Sequence, residues 1–254
     1  MSFEIDLTGH RALVTGAGQN VGRALVLALA RAGAEVAVND VVAERADAVV
    51  GEVAEAGGRA VAAPFDVTDW TAVEAAVPAL GVDILVNNAG NVGTQSPATM
   101  LGNFVETSPA QWDATLSVNL YGVLHCTRAA LPAMVAGGYG RVITVISEAA
   151  RTGDAGLAAY SAAKAGAAAL MRSVAKEVGR HGVTCNCVAL GTIDVFGLMD
   201  QAEPEAQRRR LQPYAVKRLG RPDDPAAMVV LLASDAASWV TGQTIGVSGG
   251  YHMG

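Results

Sequence analysis

The chain has 254 residues, and its 24 Asp+Glu against 18 Lys+Arg leave a formal net charge of −6. With 51% hydrophobic and only 17% charged residues, it is too apolar and too weakly charged for an intrinsically disordered protein. The acidic balance excludes a general nucleic-acid binder, which needs a basic field.

Length alone allows one large domain or two small ones. Aromatic residues are 5% of the chain against abundant Ala, Val and Leu, which suits helices packed closely on a sheet better than a β-sandwich. The longest charge-free run, Ile84 to Val105, carries Asn87, Asn88, Asn91, Gln95 and Pro97, so it does not make a spanning helix. The opening Met1-Ser2-Phe3-Glu4-Ile5-Asp6 has acids where a signal peptide needs bases. Cys126, Cys185 and Cys187 form no CxxC pair and have no His at ligand spacing. The expectation is reduced thiols in a cytoplasmic protein, with no disulfide framework and no metal site.

In chain order, Arg11–Thr15 reads as a strand, followed by a Gly-rich turn and a helix through Ala32. Glu35–Asn39 is a second strand, Ala43–Ala56 a helix, Ala60–Phe65 a third strand and Asp69–Leu80 a helix. Asp83–Val86 is a strand, Trp112–Ala136 a long helix, Arg141–Ile146 a strand and Leu157–Arg180 another long helix. Thr184–Ala189 (strand), Pro225–Ala233 (helix) and Gln243–Val247 (strand) complete the series. Continuously apolar strands alternating with helices mark a parallel sheet covered on both faces. With no composition shift, linker or repeat, residues 1–254 read as a single doubly wound (Rossmann) α/β three-layer sandwich of about seven strands.

The turn after the first strand reads Thr15-Gly16-Ala17-Gly18-Gln19-Asn20-Val21-Gly22. Glycines between a strand and a helix let a pyrophosphate approach the helix N-terminus and its free N–H groups. The spacing is not GxGxxG; one residue is in excess. Asp40 follows the second strand, 24 residues after Gly16. A carboxylate there accepts from both adenosine ribose hydroxyls and repels a 2′-phosphate, so NAD is favoured over NADP. The plainer reading is that Asp40 caps the next helix.

Tyr160 and Lys164 stand four apart in a helical stretch and share one face. A free phenol titrates near roughly 10, and a neighbouring ammonium favours its ionised form, as a general acid/base requires. Ser147 ends the strand before them, thirteen residues ahead of Tyr160, where open α/β sheets bind ligands. Its hydroxyl can polarise a carbonyl. Alone, a Tyr-x-x-x-Lys pair is as well explained by a surface helix.

Together these residues resemble the short-chain dehydrogenase/reductase family in its single-domain form, from Leu7 to about Gly250. The resemblance rests on the Thr15–Gly22 loop, Asp66-Val67, Asn87-Asn88-Ala89-Gly90, Asn119, Ser147, Tyr160-x-x-x-Lys164 and Thr241-Gly242-Gln243, in the family's order. It implies that Tyr160 exchanges the substrate proton and that Ser147 orients the substrate oxygen. Lys164 would hold the nicotinamide ribose and lower the Tyr160 pKa, and Asn119, the family's helix-bending asparagine, would anchor a relay water. Gly16, Gln19, Asn20, Val21, Gly22 and Asp40 would hold the cofactor, Asp66 and Val67 its adenine, Asn87 its adenosine side and the Ile193 backbone its carboxamide. It also implies a homotetramer.

The chain departs from the family's pattern in several places. Asn20 replaces the second loop glycine, Leu190-Gly191 replaces Pro-Gly, and Val195 and Ser248 replace a threonine and an aspartate. The connection Asn91–Gln111 is several residues longer than the family's usual one. The segment at about 192–215 is the expected substrate lid. Arg208, Arg209, Arg210, Lys217, Arg218 and Arg221 gather in and after it, either as a solvated face or as a recognition patch for an acyl thioester carrier. Ser147-Glu148-Ala149-Ala150-Arg151-Thr152-Gly153 is similar to members acting on cyclic or acyl-CoA hydroxy compounds.

The reading is therefore an NAD-dependent oxidoreductase interconverting a secondary alcohol and a ketone, with a small-molecule substrate: a hydroxyacyl/oxoacyl thioester or a cyclic alcohol. The alternative is a non-catalytic, nucleotide-sensing regulator.

Overall fold

In the computed structural model, which describes residues 5–91, 103–195, 197, 199 and 203–254, the described strands form one parallel sheet. They are β1 (Arg11–Val14), β2 (Glu35–Val38), β3 (Arg59–Ala62), β4 (Ile84–Asn87), β5 (Gly140–Ser147), β6 (Val183–Leu190) and β7 (Thr244–Val247). Their order is β3-β2-β1-β4-β5-β6-β7. The sheet grows outward from β1 in one direction and from β4 in the other, so the crossover falls between these two strands. Ligands of open α/β sheets bind outside the carboxyl ends at such a switch point.

Each strand is apolar on both faces because helices cover both. Leu13, Ala37, Leu85, Val142, Cys185 and Cys187 belong to one core cluster. It also takes in buried residues of α3 (Trp70–Leu80), α5 (Gly122–Gly137) and α7 (Ala158–Val178). Val14, Val36, Val38, Ile84, Val86, Val145 and Val188 form the opposite core with α1 (Asn20–Arg31), α2 (Ala43–Glu55) and α9 (Ala226–Ala233). This is the three-layer α/β fold expected from the unbroken apolar strands. Local signals set several boundaries. The Asp69 carboxylate caps α3 by accepting from Thr71 and Ala72 N–H, and a Ser108/Gln111 capping box with Pro109 in the first turn opens α4 (Pro109–Leu116).

Three expectations need correction. The third strand is Arg59–Ala62 rather than Ala60–Phe65, because Pro64 has no N–H to continue the ladder. The helix expected over Trp112–Ala136 is α4, then a π-helical turn at Ser117–Tyr121, then α5. Gly122 N–H reaches back five residues to Ser117 carbonyl, and the wider turn carries Asn119. Two short helices had no clear periodicity: α6 (Ala149–Thr152), and α8 (Pro204–Leu211) within the expected lid. Residues 92–102 of the long connection, and 196, 198 and 200–202 of the lid, lie outside the described residues.

Candidate active site

The loops after β1 and β4 meet at the switch point and are stitched together. Thr15 Oγ1 accepts the N–H groups of Asn88 and Ala89, both at 3.0 Å. Asn88 Nδ2 donates to the carbonyls of Thr15 (2.9 Å) and Gly16 (3.0 Å). A Cβ at Gly22 would press on the Gly16 carbonyl and lie 2.6 Å from Asn88 Nδ2, so only glycine lets α1 start this close to the strand. Asn20 sits at φ 49°, taking over the left-handed position that glycine holds in the family, as asparagine tolerates best. Gln19, the N-cap of α1, makes no side-chain cap, and no acid occupies the first turn. The first N–H groups of α1 therefore remain available to an anion, which fits a cofactor pyrophosphate.

Asp40 is buried. It accepts from Gly18 N–H at 3.1 Å and from Val42 N–H at 3.0 Å, tying the glycine loop to the end of β2. Asn39, which sequence reasoning passed over, adds a second tie. Its Nδ2 donates to Ala63 and Phe65 carbonyls, and its Oδ1 accepts from Gly16 N–H. Asp66 is exposed and holds Thr68 through that residue's N–H and hydroxyl. Val67 is buried, packs toward Gly122, and its carbonyl meets His125 Nδ1 at 2.9 Å. The Asn87 side chain is turned inward, donating to Thr127 (3.1 Å) and Thr144 (3.3 Å) hydroxyls, so it braces the sheet against α5.

At the far side, β5 ends on Ser147, whose Oγ accepts Ala149 N–H at 3.2 Å and hydrogen-bonds the Tyr160 phenol. One turn further along α7, Lys164 is buried and donates to Val145 carbonyl at 3.1 Å. Burial pushes its ammonium down to about 8. Asn119 is fully buried, donates to Thr115 and Asn91 carbonyls, and leaves Oδ1 without a partner. A Cβ at Gly90 would lie 2.9 Å from Asn119 Oδ1 and 3.2 Å from Lys164 Nζ. The loop glycine thus lets the amide and the ammonium close on one point. A buried amide oxygen with no partner is costly, and its place beside Lys164 suits an ordered relay water.

The expected lowering of Tyr160 is not the net direction in this arrangement. Burial raises the phenol above its ordinary value, and the Ser147 contact only partly offsets that. Lys164 Nζ stands 5.8 Å from the ring centroid, directed to Val145 carbonyl.

Ile193 lies at the root of the lid, paired with Gly220 in an isolated parallel bridge. Beside it, Thr192 N–H donates to the Tyr214 hydroxyl at 3.1 Å. A cavity of about 170 Å³ opens here, lined by residues including Thr192, Ile193, Tyr214, Val216, Gly220 and Ser248.

A family model described as "Enoyl-(Acyl carrier protein) reductase" matches residues 16–252. The chain belongs to the short-chain dehydrogenase/reductase family. It is similar to 7alpha-hydroxysteroid dehydrogenase of Escherichia coli, 35% identical over 98% of this chain and 96% of the relative. It is also similar to (2S)-[(R)-hydroxy(phenyl)methyl]succinyl-CoA dehydrogenase subunit BbsD of Thauera aromatica, 38% identical over 94% and 95%. Among solved structures, a 3-oxoacyl-[acyl-carrier protein] reductase from Brucella melitensis with bound NAD superposes with TM-score 0.90 (29% identity, 99% and 94% covered). An NAD(P)-dependent gluconate 5-dehydrogenase from Beutenbergia cavernae with bound NADP does so with TM-score 0.88 (34% identity, 97% and 98% covered). As a short-chain dehydrogenase/reductase, the chain is an oxidoreductase of the alcohol/ketone type that takes a nicotinamide cofactor and a small-molecule substrate. Among the described residues, no helix is long and apolar enough to cross a membrane.

The residues missed in the sequence are those whose partners lie far along the chain. Glu148, 1% exposed, pairs with Arg151 at 3.3 Å and faces Gly246 of β7, where a Cβ would lie 2.7 Å from its Oε1. The Ser147-Glu148 and Arg151 pattern was visible; the fit of the carboxylate against a glycine nearly a hundred residues later was not.

Proposed function

We propose that this short-chain dehydrogenase/reductase is an NAD(H)-dependent enzyme interconverting a secondary alcohol and a ketone, with Tyr160 as general acid/base. The observation that carries the reading is the contact between the Ser147 hydroxyl and the Tyr160 phenol, with the Lys164 ammonium buried one helical turn behind. When bound, the nicotinamide supplies a hydride to the carbonyl carbon, or accepts one in the reverse direction. Gly16, Gln19, Asn20, Val21 and Gly22 hold its pyrophosphate end, Asp40 its adenosine ribose, Asp66, Val67 and Asn87 its adenine and adenosine side, and Lys164 and Ile193 its nicotinamide end.

In reduction, Ser147 donates a hydrogen bond to the substrate carbonyl oxygen, and Tyr160 gives the proton that makes it a hydroxyl. Lys164 stabilises the phenolate left behind, and the Asn119 amide steadies the water through which Tyr160 is reprotonated. NAD rather than NADP is supported by the Asp40 carboxylate, placed where a 2′-phosphate would meet like charge.

The lid at about 192–215 carries the substrate choice, on a single domain spanning 1–254. A hydroxyacyl/oxoacyl thioester or a cyclic alcohol is supported by likeness to relatives named for a succinyl-CoA derivative and a hydroxysteroid. Arg208, Arg209 and Arg210 in the last turn of α8 add cationic character to the lid. The same reading makes the protein a cytoplasmic homotetramer, consistent with three buried free thiols and with Trp239, 98% exposed close to the edge strand β7.

The test is a panel of hydroxyacyl-CoAs, steroids, cyclic alcohols and sugars, read at the reduced-nicotinamide absorbance band. Tyr160→Phe should lower turnover by about 10²–10⁴-fold while cofactor binding persists. Equal behaviour of wild type and Tyr160→Phe across the panel would overturn the catalytic reading and favour the nucleotide-sensing regulator.

A further inference from the structure

Tyr251 lies four residues past β7 and belongs to none of the motifs that define the site. Its hydroxyl donates to Asp154 Oδ1 at 2.9 Å. That same oxygen receives the Thr152 hydroxyl at 2.9 Å, and Asp154 carbonyl receives Leu157 N–H at 3.1 Å, closing the turn that leads into α7 and Tyr160. On its other side, the Tyr251 ring packs against Tyr214, with centroids 5.1 Å apart and planes tilted by 39°. Tyr214 is 4% exposed and spends its hydroxyl on Thr192 N–H. A backbone bond from Val216 N–H to Gly249 carbonyl, 2.9 Å, closes the lid end onto the C-terminal segment.

A continuous set of contacts therefore runs from the approach to the catalytic helix, through Asp154, Tyr251 and Tyr214, to Thr192 and Ile193. We propose that Tyr251 is a positioning residue that fixes the root of the lid relative to the start of α7, and so sets where the Ile193 backbone meets the nicotinamide end of the cofactor. The proposal rests on the cofactor placement given above and adds a residue to it. The ring supplies packing against Tyr214, and the hydroxyl ties that packing to Asp154. Removing the hydroxyl alone frees the lid root without opening a cavity.

Two readouts on Tyr251→Phe, Asp154→Ala and the double variant test this. The first needs no cofactor: limited trypsin digestion, which cuts the lid after the exposed Arg208, Arg209, Arg210 and Lys217, against cleavage after Lys176 within α7 as the internal standard. Tyr251→Phe should speed lid cleavage several-fold and leave Lys176 cleavage unchanged, since local opening exposes only the lid. The second is NADH titration by nicotinamide fluorescence. Its dissociation constant should rise about 3–10-fold, the effect of one lost hydrogen bond, with kcat changed less than about twofold. The double variant should be no worse than either single one, because both break the same contact.

Wild-type lid cleavage and NADH affinity in Tyr251→Phe would overturn the proposal. So would equal acceleration at the lid and at Lys176, or additive single effects. If the wild type binds no NADH, the cofactor placement fails, and the digestion pattern still decides the role of Tyr251 in holding the lid.

Discussion

Replacing Asp40 tests the cofactor choice at a single carboxylate. Of its roughly four lone-pair sites, two are occupied by Gly18 and Val42 N–H, which leaves two for the two hydroxyls of an adenosine ribose. A hydrogen bond to a charged group is worth about 1.5–3 kcal/mol, and every 1.4 kcal/mol is about tenfold in affinity. Asp40→Ala should therefore weaken NADH by about 10–100-fold. NADPH should bind as well as before or better, because the like charge facing its 2′-phosphate is gone. The truncation also strands Gly18 N–H, at a cost of about 1–3 kcal/mol. For a chain of this length each kcal/mol lowers Tm by about 2–4 °C. Asp40→Asn separates the two effects, keeping an acceptor oxygen for Gly18 while removing the charge. Its Tm should stay near wild type while its NADH:NADPH preference still falls. Fluorescence titration with both dinucleotides and thermal melting read these quantities. A preference unchanged within about twofold in both variants would show that Asp40 serves only the loop and not the ribose.

Lys164 gives a pH-dependent outcome. Its folded value, about 8, lies below its ordinary 10.5, so between those pH values the unfolded chain binds the extra proton and stability rises with pH. The burial penalty is full below about pH 8 and relieved toward 10.5. Lys164→Met should raise Tm most at pH 7, and the gain over wild type should shrink by pH 10; a gain independent of pH would refute the cause. Reversing Arg208, Arg209 and Arg210 to Glu should raise KM for hydroxyacyl-CoA substrates and spare small neutral ketones, and equal KM changes for both would return the cluster to a solvated face. Burial pushes the thiols of Cys126, Cys185 and Cys187 up to about 12. A thiol reagent should label none of them in the native protein at pH 7 and all three after denaturation; fast native labelling would contradict their packing.

What the chain declared on its own was whatever depends on near neighbours. Apolar runs such as Val142 to Ile146 needed no tertiary information to mark strands buried on both faces. The Gly16–Gly22 turn and the Tyr160/Lys164 pair lie within single loops or helices, where spacing dictates shared direction. The long helix around Asn119 was misread as continuous because hydropathy does not distinguish a π turn from an α turn; packing against the Asn91 carbonyl and the β4 loop decides it.

The same limit governs the rest of the site. Asn39, Asn88, Glu148 and Tyr251 find their partners 24, 73, 98 and 97 residues away respectively, distances over which no sequence period survives. Tyr160 makes the point in energy. Its place beside a lysine was legible, yet the direction of its pKa follows from how deeply the fold buries the phenol and where it aims the ammonium, and only the tertiary structure sets those two quantities.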